Sequence, residues 1–217
     1  EPQVGVAASG FLVALGGVPG GVGTPLQQAG TFMHELGHNL GLGHGGGDTI
    51  QWKPNYLSVM NYFYQLGGLR VGTTAGLLDY SFAELPAIDE GNVDEQVGLA
   101  GGPDWDGYRS RWWYPPPIED PALPDGGLPD AGTLRSCGDV NLPIDWNWSS
   151  QPPNGNTPDG NVAAKDAQSG LQIPFRNNGR REWISGHDDW SHLVFAGGRV
   201  GGGVALPEPR TTEVDEL

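Results

Sequence analysis

The chain has 217 residues, enough for one domain with its own core, or for one domain with a substantial extension. Its 37 Gly and 19 Pro favour turns and irregular segments over long helices, while 8 Trp, 6 Tyr and 6 Phe argue against a disordered chain. A formal net charge of −15 repels phosphate backbones and argues against nucleic acid as a partner, and no apolar run is long enough to span a membrane.

In chain order, "GFLVAL" at residues 10–15 is a short apolar run bounded by glycines and is expected to be a strand. A Gly-rich loop follows and ends in Pro25. A helix is predicted from Leu26, with Thr24 as its cap and Pro25 in its first turn. Phe32, Leu36 and Leu40 recur at spacing four and predict its apolar face, and Gly41, with Gly43 close behind, marks its end.

This helix carries "HELGHNLGLGH" at residues 34–44, which holds three of the five histidines. At spacing four, His34 and His38 project from one helical face, and Glu35 lies beside them, able to reach a water without being a ligand. Gly41 permits the backbone geometry that brings His44 back to the same point. Three neutral imidazoles and an open position suit a catalytic zinc, with Glu35 taking a proton from its water and passing it to a leaving group. A lone histidine is usually structural, but five fixed positions at set spacing outweigh coincidence.

Farther on, "YLSVMNY" places Met60 and Tyr62 after the third histidine. Residues 81–99 are expected to form short helical pieces. Residues 101–160 lack any helical or strand period and read as a long surface excursion or linker. Within them Asp139, Asn141, Asp145 and Asn147 alternate in "DVNLPIDWN", with Asp159 and Asp166 beyond. Oxygen donors at every second position are how calcium loops are built, but turn-forming Asx residues in a solvated acidic loop explain the pattern as well. "GHDDWSHLVFAGG" suggests a helical turn capped by Asp188 or Asp189, followed by a strand; His187 is not assigned to catalysis. The lone Cys137 cannot form an internal disulfide.

The HExxHxxGxxH motif with Met60 downstream resembles the metzincin signature of zinc proteases. Residues 28–90 are similar to bacterial zinc metalloproteases near the pappalysin-like metzincins. The resemblance implies a methionine turn beneath the metal at Met60. It also implies a tyrosine at Tyr62, as in astacin-like and serralysin-like enzymes, that binds zinc at rest and hydrogen-bonds the oxyanion; ordinary core packing is the alternative for both residues.

The fold class implied is α+β: an active-site helix with "GFLVAL" as edge strand, a methionine turn and a long irregular C-terminal part. A catalytic core over residues 1–115 and a Pro/Gly/Trp-rich subdomain over 116–217 follow from this reading. Metzincins usually carry a sheet and a backing helix ahead of the zinc helix, and 33 residues precede His34. The expectation is therefore a truncated sheet completed by an upstream segment or a second chain. The function expected is a secreted zinc endopeptidase acting on protein or peptide, with Zn²⁺ as cofactor and Ca²⁺ as a candidate second ion. A zinc hydrolase of other amides or esters, or a non-catalytic zinc-fold binding module, are the alternatives.

Overall fold

A computed structural model describes residues 10–18, 20–113, 134–147 and 181–194. Among them lie one α-helix and six short strands, an α+β architecture. Helix α1 spans Pro25–Asn39, and the strands are β1 Leu69–Val71, β2 Thr74–Leu77, β3 Ile88–Asp89, β4 Arg111–Trp113, β5 Leu134–Ser136 and β6 Trp183–Ile184. They pair antiparallel as three two-stranded sheets: β1 with β2, β3 with β6, and β4 with β5. The β3–β6 pair sets Ile88 opposite Ile184, which brings the distant segment 181–194 back onto the middle of the chain.

The start of α1 follows the sequence. The Thr24 side chain accepts the Gln27 N–H, and the Gln27 side chain answers by accepting the Thr24 N–H, a reciprocal cap with Pro25 in the first turn. Its buried face differs from the expected one. Phe32 is 53% exposed, whereas Gly30, Thr31, His34 and Gly37 are buried. At roughly 100° per residue Phe32 lies on the side of the helix away from Gly30. Close approach decides the orientation: a Cβ on Gly30 would sit 2.0 Å from the Gln65 carbonyl oxygen, and one on Gly37 2.2 Å from Met60 Sδ. Only glycine lets the helix settle that deeply.

Three further expectations are corrected. Residues 10–15 are not a strand; a strand needs a hydrogen-bonded neighbour, and among the described residues none pairs with them. Phe11 instead packs its ring against Phe32 at 5.2 Å. Residues 81–99 hold no helix, because Asp89 and Asp94 accept the N–H groups of Gly91 and Gln96 and turn the backbone at each point.

The third correction concerns the stretch read as a surface excursion. Among its described residues Trp105, Trp112, Ile144 and Trp146 are buried, and Trp112 Nε1 donates to the Trp146 carbonyl at 3.0 Å. Each buried indole removes about 150–250 Å² from water, an upper-bound gain of about 4–6 kcal/mol at about 25 cal/mol per Å². That is enough to hold a segment whose regular structure, among the described residues, is the short β4–β5 pair and a single helical turn at Pro103–Trp105. These residues join Leu57, Phe63, Leu85 and Ile184 in the larger core. A smaller cluster of Leu42, Tyr56, Val59, Met60 and Tyr80 lies where α1 ends.

Candidate metal centre

The histidine motif begins inside α1 and ends beyond it. Leu40 caps the helix, Gly41 turns with φ of 90°, the Gly41 N–H reaches the His38 carbonyl at 3.0 Å and the Leu42 N–H reaches that of Gly37 at 2.9 Å. This Schellman pattern satisfies the last carbonyls of the helix and reverses the chain after one residue. His44 is thereby returned to the helical face that holds His34 and His38. The Nε2 of His38 lies 3.2 Å from that of His34 and 2.8 Å from that of His44.

Two of the three rings have their proton assigned by chemistry. His34 Nδ1 lies 2.9 Å from the Val59 carbonyl and His38 Nδ1 2.9 Å from the Leu42 carbonyl. A carbonyl only accepts, so each Nδ1 carries the hydrogen and each Nε2 of the neutral ring presents a lone pair. Lone pairs facing one another at 3.2 Å repel unless a cation lies between them. Ligand nitrogens at about 2.0–2.1 Å from a tetrahedral ion stand at about this mutual separation. Burial holds His34 neutral, down to about 3, outweighing the Val59 acceptor that favours the charged ring; His38 and His44 lower it further. The three histidines can hold a metal ion, and no other cluster of three or more His, Cys, Asp or Glu side chains is gathered so closely among the described residues.

The floor of the centre is the turn over residues 58–61, closed by the Asn61 N–H donating to the Ser58 carbonyl at 3.0 Å. Met60 is fully buried and lies against Gly37, one turn along the helix from His34. Val59 is fixed on both sides, its N–H donating to Asp79 at 2.8 Å and its carbonyl accepting from His34. Asn61 donates to the carbonyls of Lys53 and Tyr56, both at 2.8 Å. Tyr62 leaves this turn half-buried with its ring 4.3 Å from that of His44 and 5.5 Å from that of His34. Glu35 is half-buried on α1 beside His34.

The other candidate residues lie elsewhere. Asp139 accepts the N–H groups of Asn141 and Gly107, each at 2.8 Å, and Asn141 accepts the Gly102 N–H while donating to the Gly102 carbonyl and to Asp106. Asp145 is buried and Asn147 donates its N–H to Glu95. The Asp139 oxygen that accepts the Asn141 N–H two residues on builds an Asx turn. Asp159 and Asp166 lie outside the described residues. Cys137 is buried with its thiol pushed up to about 12, chiefly by desolvation, and is remote from the reactive thiolate range.

Asp188 accepts the Ser191 N–H at 3.2 Å at the single helical turn Trp190–His192, as a cap does; the strand expected after it falls mostly outside the described residues. Asp189 gives no such cap. It is buried, accepting from Tyr56 Oη at 2.7 Å and from the Ser81 N–H at 3.1 Å. Two other features were missed. Trp52 has left-handed backbone, φ 61°, and sets its ring 5.2 Å from Tyr62. Lys53 is buried against Asp48 at 3.0 Å, its ammonium driven down chiefly by desolvation, and this pair ties the loop after His44 to the methionine turn. The buried charge and the left-handed tryptophan have no local pattern that could have announced them.

Residues 4–68 match the model of the family described as Peptidase M66. The match covers less than half of the chain and includes all three histidines, Glu35, Met60 and Tyr62. Neither a curated protein nor a solved structure matches. The family match supports a metallopeptidase, for which the three histidines supply the metal ligands' chemistry.

Proposed function

We propose that the chain is a zinc-dependent endopeptidase of metzincin type. The observation that carries this reading is the convergence of three imidazole Nε2 atoms, two with their tautomer fixed by carbonyl acceptors, with Glu35 following His34 on the same helix. Three nitrogen ligands, with no fourth His, Cys, Asp or Glu joining them among the described residues, suit a catalytic zinc, which when bound polarises a carbonyl and brings the pKa of a water to about 7.

The chain's own residues would do the rest. Glu35, as general base, takes a proton from the attacking water as its oxygen bonds to the scissile carbonyl carbon. The same carboxyl then returns the proton to the departing nitrogen, so the C–N bond breaks to a neutral amine. Tyr62, beside His44, turns its hydroxyl toward the oxyanion that develops on the carbonyl oxygen. Met60, packed against Gly37, forms a floor under the helix that carries His34 and His38.

The test is digestion of a peptide library by the full chain with and without a zinc chelator. Cleavage that chelation abolishes and added Zn²⁺ restores is expected. Cleavage at an equal rate under chelation, or none by zinc-loaded protein, overturns the proposal.

A further inference from the structure

We propose that Asp189 is a positioning residue for the metal centre, acting through Ser58 on the turn that holds His34 and Met60. The proposal rests on reading the three histidines as a metal centre.

Asp189 is fully buried. One carboxylate oxygen accepts from Tyr56 Oη at 2.7 Å; the other accepts from Ser58 Oγ at 2.5 Å and from the Ser81 N–H at 3.1 Å. A hydroxyl has one hydrogen to give. With that hydrogen committed to Asp189, Ser58 Oγ turns a lone pair to the Met60 N–H, which donates to it at 3.0 Å. Between these two residues stands Val59, whose carbonyl takes the Nδ1–H of His34 at 2.9 Å. Asp189 thus sets the rotamer of the serine, the serine sets the turn, and the turn sets the tautomer and direction of a metal ligand. Partners of this kind around a metal ligand typically change affinity by about 10–100-fold.

The segment bearing Asp189 is secured independently of this carboxylate. Its backbone N–H donates to Ser81 at 2.8 Å, Trp190 Nε1 donates to Asp79 at 3.1 Å, and the Val194 N–H donates to the Leu40 carbonyl at the end of α1 at 2.7 Å. Asp189 lies far outside the part of the chain that matches the peptidase family.

The test measures the zinc dissociation constant of the full chain by competition with a chromophoric chelator, for wild type, Asp189→Ala, Asp189→Asn, Ser58→Ala and the control Ile144→Ala. Ile144 is buried in the larger core, so its truncation lowers stability without touching the turn. Asp189→Ala and Ser58→Ala should weaken zinc by about 10-fold or more and non-additively when combined, while Ile144→Ala keeps wild-type affinity. Asp189→Asn retains one acceptor and should fall between. Should Asp189→Ala fail to fold, Asp189→Asn and Ser58→Ala decide. Unchanged affinity in these variants, or an equal loss in Ile144→Ala, overturns the proposal while leaving the metal centre standing. A wild-type chain that takes up no zinc overturns both.

Discussion

The backbone carbonyl of Val59 accepts the Nδ1–H of His34 at 2.9 Å, joining two residues that stand on different elements. Through this one bond the methionine turn decides which nitrogen of His34 is free for a ligand's role. Since His38 does the same with the Leu42 carbonyl at 2.9 Å, two of the three rings are held in register before any ion arrives. Elemental analysis of the purified chain should therefore find about one Zn²⁺ per molecule. Protein that contains no zinc and takes up none on titration would rule this out.

Glu35 sits on the helix beside His34 without joining the three-histidine cluster. Glu35→Ala should leave metal content and fold nearly unchanged and lower turnover by about 10²-fold or more, the scale of general acid–base catalysis. Wild-type turnover in this variant would contradict the mechanism.

Tyr62 packs on the His44 ring at 4.3 Å. Tyr62→Phe keeps that packing and removes the hydroxyl, so kcat should fall more than KM rises, because the hydroxyl is assigned to the transition state. An unchanged kcat would return Tyr62 to a packing role alone.

Gly37 and Met60 touch so closely that a methyl group on Gly37 would meet Sδ at 2.2 Å and a ring carbon of Tyr80 at 3.0 Å. Gly37→Ala should destabilise by about 1–3 kcal/mol through overpacking, whereas Met60→Leu, close in volume, should cost less than about 1.5 kcal/mol. Thermal unfolding of both variants checks this; an equal or smaller loss in Gly37→Ala would show that the floor can yield.

Burial raises the Asp189 carboxyl from 3.8 to about 6 against the opposing pull of its hydrogen bonds from Ser58, Tyr56 and Ser81. The unfolded chain gives up this proton near the ordinary value while the folded chain keeps it to about 6, so folding binds a proton in that window. Stability from this group is therefore highest below about 4 and falls by about 3 kcal/mol as pH rises through about 6, with no further change above. Denaturant unfolding at pH 4 and pH 7, with chelator present throughout, should show this step in wild type and not in Asp189→Asn. The same slope in both chains would assign it to another group.

The sequence alone determined the parts of this protein that depend on neighbours in the chain. The capped start of α1, the glycine exit at Gly41 and the return of His44 toward His34 and His38 all lie within about six turns' length of backbone, and local geometry settles them. Met60 and Tyr62 were legible as candidates because their spacing from the histidines follows a known pattern; the structure sets the Tyr62 ring 4.3 Å from that of His44 and packs Met60 against Gly37 on the helix.

What only tertiary structure decided rests on contacts that periodicity does not encode. For the buried face of α1 hydrophobicity points to Phe32, while close packing selects Gly30 and Gly37, whose value is the absence of a side chain. Residues 10–15 had the composition of a strand, yet a strand exists only where another chain segment supplies the hydrogen bonds. The aperiodic tryptophans read as surface, but Trp105 and Trp146, outside any strand, are buried as fully as Trp112 in β4. Asp189 read as a helix cap from its neighbours, and became the buried acceptor of Tyr56 and Ser58 only because β6 pairing with β3 carries it across the fold. A carboxylate's role is set by what surrounds it in space, and along the chain those partners are more than a hundred residues away.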